Sequence, residues 1–171
     1  VYPEPLQETI AKEIGYATGT MLLEEAGGAG AIIVGHDMRP SSPSLFEALK
    51  EGVRESGADV IDVGLVDTPF VAFAVNHENA IGGIQTTASH NPIQYNGFKI
   101  CRAKAKPVGM GTGLEIIESK VNDAKQRTQS TTVGCERSVD LWSSYKEHVF
   151  QYLDPKIQSG EIIIKAAIDA S

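Results

Sequence analysis

Several things are scarce in this sequence, and each shortage removes a class of function. There are two cysteines, Cys101 and Cys135, without a Cys-x-x-Cys spacing. A cysteine-held metal cluster or a redox dithiol is therefore not expected, and two reduced thiols in a cytoplasmic protein are. No apolar run approaches the roughly 20 residues that a membrane helix needs, so no membrane partner is expected. The opening residues Val1-Tyr2-Pro3-Glu4-Pro5 lack the basic and apolar regions of a signal peptide, and they lack an initiator Met. The chain is accordingly expected to be a piece of a longer protein. Basic residues are outnumbered, 15 against 22 acidic, for a net charge of −7. That balance argues against a nucleic-acid surface, although local Arg and Lys clusters still allow a small anion. No Gly-x-Ser-x-Gly elbow is present, which disfavours a serine hydrolase.

What is there is an ordinary globular composition, 42% hydrophobic and 22% charged over 171 residues. That length suits one domain with an appendage. Leu6, Ile10, Ile14, Ala17 and Met21 recur at helical spacing, and Gly27-Gly28 ends that helix. Gly15 and Gly19 within it are read as permitting close packing. Ala31–Gly35 is an all-apolar strand of the kind covered on both faces. Ser42-Pro43 is read as cap and first-turn proline of a helix with Leu45, Phe46, Leu49 and Val53 on its buried stripe. Val60–Val63 is a further strand, and Thr68-Pro69 repeats the cap-and-proline device before a short helix. Strands at 80–85 and 98–101 flank a polar loop. The expected fold is α/β: a layered domain with a mixed, mostly parallel sheet of about four strands between helices.

Later segments are less informative. Gly109–Gly113 precedes a helix read over 114–124, and a glycine-rich turn there has only a weak claim to phosphate. Lys125–Arg137 is read as a polar connection. Ser138 is read as the cap of a last helix carrying Leu141, Trp142, Tyr145, Val149 and Tyr152 on one face, with Trp142 as its anchor on the core and Asp154-Pro155 as its stop. Glu161–Asp169 reads as a strand opening a second domain, loosely held. The expected division is 1–155 for the first domain and 156–171 for the truncated start of the second.

The loop from Thr86 to Lys99 gathers a hydroxyl nucleophile, an imidazole, two amides and an ammonium on a scaffold of flanking strands. Pro92 denies Asn91 the helical region, and Asn96-Gly97 is a turn dipeptide. A second polar loop, His36–Ser42, follows the strand at 31–35 and carries Arg39. For Ser89 to carry phosphate, its surroundings must stabilise an added charge of about −1.5 to −2. Arg39 offers a bidentate fork and Lys99 a movable point charge. Lys99 or His90 is the candidate to take the serine proton. Both loops leave carboxyl ends of strands, so they are expected to converge on one edge, with Arg39 and Lys99 pointing toward the Ser89 hydroxyl or reaching it after modest rotamer changes.

Thr87-Ala88-Ser89-His90-Asn91-Pro92, followed by Tyr95-Asn96-Gly97-Phe98-Lys99, resembles the phosphoserine signature of the α-D-phosphohexomutases. Asp37-Met38-Arg39, followed by Ser41-Ser42, is similar to the family's arginine loop. The resemblance covers the first domain of four and implies a fragment of an enzyme that interconverts hexose 1-phosphate and hexose 6-phosphate. The route it implies runs through a phosphoserine and a hexose 1,6-bisphosphate. It implies Ser89, His90, Lys99 and Arg39 as catalytic, His90 and Asn91 as substrate-binding, and Mg²⁺ held in part through phosphate on Ser89. Asp37 is expected to orient Arg39 or its loop rather than bind metal. Implied partners are hexose phosphates, the bisphosphate and the C-terminal domains of the same protein. The metal loop, the sugar loop and the distal phosphate loop have no counterpart in this chain, so the fragment alone is expected to be inactive. The competing reading is a non-enzymatic α/β module that binds phosphorylated ligands or a protein partner, with Ser89 as a regulatory phosphosite.

Overall fold

The computed structural model describes residues 6–123 and 132–167. Contacts divide the chain into two units, 1–139 and 140–171. Pro5, Ala124, most of the connection from Lys125, and Ile168-Asp169 lie outside the described residues.

The first unit is built on helix α1 (Glu8–Ala26), strand β1 (Ala31–His36), helix α2 (Ser42–Glu55), strand β2 (Asp59–Leu65), helix α3 (Thr68–His77) and strands β3 (Gly82–Thr86) and β4 (Phe98–Arg102). Strand β5 (Lys106–Pro107), helix α4 (Leu114–Asn122) and strand β6 (Glu136–Ser138) complete it. The sheet order is β5-β4-β3-β1-β2-β6. β1 pairs in parallel with β2 and β3, and β2 with β6, whereas β3–β4 and β4–β5 are antiparallel. The sheet is thus mixed and mostly parallel at its centre, as its apolar strands require when both faces are covered.

Alternation along β1 and β3 assigns the two faces. Ile32, Val34 and Ile84 join the core formed with α1 and α2, where Ala17, Met21, Leu22, Leu49 and Val53 are buried. A Cβ on Gly35 or Gly83 would meet Val71 of α3 on the other face. Helices α1 and α2 approach so closely that a Cβ at Gly15 would collide with the Leu49 carbonyl, and one at Gly52 with the Lys12 carbonyl. Gly15 and Gly52 are therefore there for contact. Gly27, at φ 86, ends α1 in the left-handed region that glycine tolerates.

Three helix boundaries differ from expectation. Ser41, not Ser42, precedes α2, and Ser42 is freed to bond the β1 loop. Asp67, not Thr68, caps α3, its carboxylate accepting the Phe70 N–H at 2.9 Å. Ser138 ends β6 instead of capping a helix. That strand interrupts what reads in sequence as a polar connection. It is fastened by Lys50, a buried α2 ammonium that meets Asp62 at 2.7 Å, Glu136 at 2.9 Å and Glu47 at 2.9 Å. Burial pulls the Lys50 pKa down, but bonds to these carboxylates outweigh it and raise the value above 10.5.

In the second unit, helix α5 spans Trp142–Phe150 and a short helix α6 spans Pro155–Gln158. Asp154-Pro155 opens α6, with the Asp154 carboxylate accepting the Lys156 N–H, so it does not stop α5. No residue of α5 is buried, and Trp142 is 53% exposed with its ring edge-on to Tyr145. Residues 161–167 form no strand, and Ile163 is 89% exposed. Among the described residues no helix is long and apolar enough to cross a membrane.

Candidate active site

β1 and β3 are neighbours in the sheet, so the loops leaving their carboxyl ends begin side by side. The Asp37 N–H donates to the Thr86 carbonyl at 3.0 Å, extending the ladder to the point where the chains diverge. The Thr87 N–H donates to the Gly97 carbonyl at 2.9 Å, closing the neck of the Ser89 loop. The two loops therefore converge on one edge, as their topology requires.

Asp37 organises the junction. Its Oδ1 accepts the Arg39 N–H at 3.1 Å and the Ser42 hydroxyl at 2.5 Å, and its Oδ2 accepts Arg39 Nε at 3.0 Å. Burial alone would raise its pKa. Hydrogen bonds from Ser42, Thr87 and Arg39 outweigh that and hold the carboxyl below its ordinary 3.8. Thr87 Oγ1 accepts the Ser89 N–H at 2.9 Å while its hydroxyl faces Asp37, so the carboxylate reaches Ser89 through one intervening side chain. Asn96 Nδ2 donates to the Ser41 and Ser42 hydroxyls, at 2.9 Å each, and ties the far end of the loop to the start of α2. Among the described residues there is no group of three His, Cys, Asp or Glu placed to hold a metal. Both Asp37 oxygens are engaged, so the residues present do not make a Mg²⁺ site by themselves.

Ser89 stands at φ 57, in the left-handed region that a non-glycine residue enters only when its neighbours hold it there. Its hydroxyl is exposed and lies 3.2 Å from the Lys99 ammonium, which donates to it from the second residue of β4. Arg39 behaves differently from expectation. Its side chain is 10% exposed, and its fork is turned inside the loop, onto main-chain carbonyls. Nη1 donates to Pro92 at 2.7 Å and Tyr95 at 3.1 Å, and Nη2 to Ser89 at 2.9 Å and Asn91 at 2.8 Å. It touches the Ser89 residue by its carbonyl, not its hydroxyl. His90 and Asn91 are exposed on the same loop, the His90 ring beyond reach of any described hydrogen-bond partner.

Sequence reasoning named Asp37, Thr87 and Asn96 as parts of motifs but missed the joining work of Thr87 and Asn96. A Thr two residues before a Ser, and an Asn before a Gly, carry a faint local signal of side chain to backbone bonding. Nothing local tells that Asn96 reaches Ser41 and Ser42.

Helices on both faces of a mixed sheet, with a hydroxyl and an ammonium presented at its carboxyl edge, define an α/β/α domain. Comparison with known proteins agrees. The family described as phosphoglucomutase/phosphomannomutase, alpha/beta/alpha domain I, matches residues 1–128, and the chain belongs to that family. A Klebsiella pneumoniae phosphomannomutase is 46% identical over 115 residues, covering 67% of this chain and 70% of that protein. A protein of Xanthomonas campestris pv. campestris named for phosphohexose mutases is 40% identical over 152 residues, 89% of this chain and 33% of the relative. The chain thus spans about a third of the length of the latter relative. The solved structure of a phosphoglucomutase/phosphomannomutase family protein from Burkholderia thailandensis superposes with a TM-score of 0.73 at 31% identity, over 89% of this chain and 33% of that one.

Proposed function

We propose that this chain is the phosphoryl-carrying domain of a phosphohexomutase, with Ser89 Oγ as the atom that is phosphorylated. The observation that carries the reading is the Lys99 ammonium donating to that hydroxyl at 3.2 Å on an exposed loop. In the forward transfer a hydroxyl of a hexose monophosphate attacks the phosphorus on Ser89. The new bond forms to the sugar oxygen, the Oγ–P bond breaks, and Lys99 hands a proton to the departing Oγ. The sugar hydroxyl loses its proton to a base, for which exposed His90 is the candidate in this chain. The return step reverses these moves. The Ser89 hydroxyl attacks a phosphorus of the hexose 1,6-bisphosphate, and its proton passes to a Lys99 that has already given one up. Phosphoryl transfer asks for positioning and charge stabilisation more than covalent chemistry, and a fixed ammonium supplies both.

His90 and Asn91 are proposed to face the sugar. The Mg²⁺ expected beside a phosphoserine would draw from this chain only the phosphate oxygens on Ser89, and no step above is routed through it. The remaining recognition is proposed to come from the polypeptide that the longer relatives carry, so this chain alone should not isomerise hexose phosphates. A cytoplasmic location is the proposal that suits two free thiols. The test is incubation with a hexose 1,6-bisphosphate followed by mass mapping of the Ser89 peptide. Stoichiometric phosphate on Ser89, absent in Ser89→Ala, supports the carrier. Phosphate at Ser89 only after treatment with a protein kinase would favour the regulatory module instead.

A further inference from the structure

A trans peptide points its carbonyl and the following N–H in opposite directions, and none of the described peptide bonds is cis. The four carbonyls gathered by Arg39 therefore turn the N–H groups that follow them outward. After Asn91 comes Pro92, which has none, but His90, Ile93 and Asn96 each present an amide on the side away from the guanidinium. None of these three amides has a partner among the described residues. The His90 N–H follows Ser89 directly, and Ser89 itself is held at φ 57 by its own N–H on Thr87 Oγ1. Successive amides around a left-handed residue form concavities that accept anions.

We infer that Arg39 is a positioning residue, a clamp rather than a phosphate-binding cation. By drawing the Ser89, Asn91, Pro92 and Tyr95 carbonyls to itself, it aims the His90 N–H, with the Lys99 ammonium, at a phosphoryl group on Ser89 Oγ. The inference rests on the reading of Ser89 as the carrier. Its chemistry requires arginine. A guanidinium has five donors in a rigid fork, and here Nε is committed to Asp37 and the two Nη atoms to four oxygens. A lysine brings the same charge with three donors on a flexible stem and cannot span that set.

The test separates charge from clamp. The 171-residue chain is prepared with phosphoserine at position 89, and the second ionisation of the phosphate is followed by ³¹P NMR. Free phosphoserine loses that proton near pH 6, and two donors aimed at the dianion should bring the value to about 5. Arg39→Lys should return it toward 6 as fully as Arg39→Met does, and should speed hydrogen exchange of the Asn91 and Tyr95 amides at least tenfold. Lys99→Met should also raise the value but leave that exchange unchanged. A chain with an ester in place of the 89–90 amide, which deletes only the His90 N–H, keeps the question open to decision if the Arg39 variants unfold; it too should titrate near 6. Retention of both the low value and the slow exchange in Arg39→Lys would overturn the clamp. An unchanged titration in the ester chain would overturn the His90 amide as receiver. Failure of the full-length protein to take phosphate on Ser89 from hexose 1,6-bisphosphate, with these effects intact, would instead count against the carrier reading alone.

Discussion

Replacing Asp37 with Asn turns one acceptor oxygen into a donor nitrogen at the point where the two loops meet. Asn can keep an oxygen toward the Arg39 N–H and the Ser42 hydroxyl, which share Oδ1. Its nitrogen must then face Arg39 Nε, donor against donor, where Oδ2 now accepts at 3.0 Å. Losing a charged hydrogen bond removes about 1.5–3 kcal/mol, and leaving Nε without a partner costs about 1–3 kcal/mol. Because the fork keeps its four carbonyls, we take the lower half of that sum, about 3 kcal/mol near neutral pH. For a chain of this size that corresponds to a fall in Tm of roughly 6–12 °C. Calorimetry from pH 7 down to pH 3 supplies a second, independent signature. Asp37 has a folded pKa below its ordinary 3.8, so its contribution is complete above that value and is lost as pH falls through the folded one. The gap between parent and variant should therefore be constant at neutral pH and close below about pH 4. A variant that melts with the parent at pH 7, or a gap that persists undiminished to pH 3, would refute the account of Asp37 as the junction's carboxylate.

Ser89→Ala in a full-length protein should abolish mutase turnover while leaving the fold intact, and near-normal turnover with added bisphosphate would sink the carrier role. Lys50→Met strands Asp62, which is 14% exposed, and should destabilise by about 3 kcal/mol in urea titrations. Since the Lys50 pKa is raised on folding, the wild-type benefit should be complete below 10.5 and decline only above it; a decline already at pH 8 would contradict the assignment. Gly52→Ala should cost about 1–3 kcal/mol by forcing α1 and α2 apart, and unaltered stability would show that the helices can shift freely. Amides of Ile163 and Ile164 should exchange within seconds in the monomer, as expected of exposed chain without a strand partner.

The parts of the fold legible in the sequence are those made by apolar patterning. β1, the middle of β2, and β3 are runs whose residues are buried on both faces, and any partner would do to reveal them. β6 was illegible because Glu136-Arg137-Ser138 has no such pattern. It is a strand owing to Lys50 and to pairing with Val60, Ile61 and Asp62, none of them local. The run at 161–167 fails in the opposite sense: its β-branched residues favour a strand, yet a strand exists only against a neighbour. At the site the same division holds. Ser89 and Lys99 are ten residues apart across a hairpin and their meeting is foreseeable. Arg39 was foreseen beside the loop, pointing at the Ser89 hydroxyl or a rotamer change away from it; its hold on the Ser89 carbonyl was not, because a carbonyl has no identity in the sequence and its direction follows from the fold.

The neck formed by Thr87 and Gly97 has a consequence for how this site could be altered. β3 and β4 lie side by side, so residues 88–96 leave and rejoin the sheet through one hydrogen-bonded gate. The strands register only that gate, not what lies beyond it. Segment 88–96 is in that sense a cassette, exchangeable without resetting the sheet, but it reads a second key in residues 37–42. Loops transplanted with their own arginine segment should work as a matched set, and loops moved alone should fold yet stand unlatched.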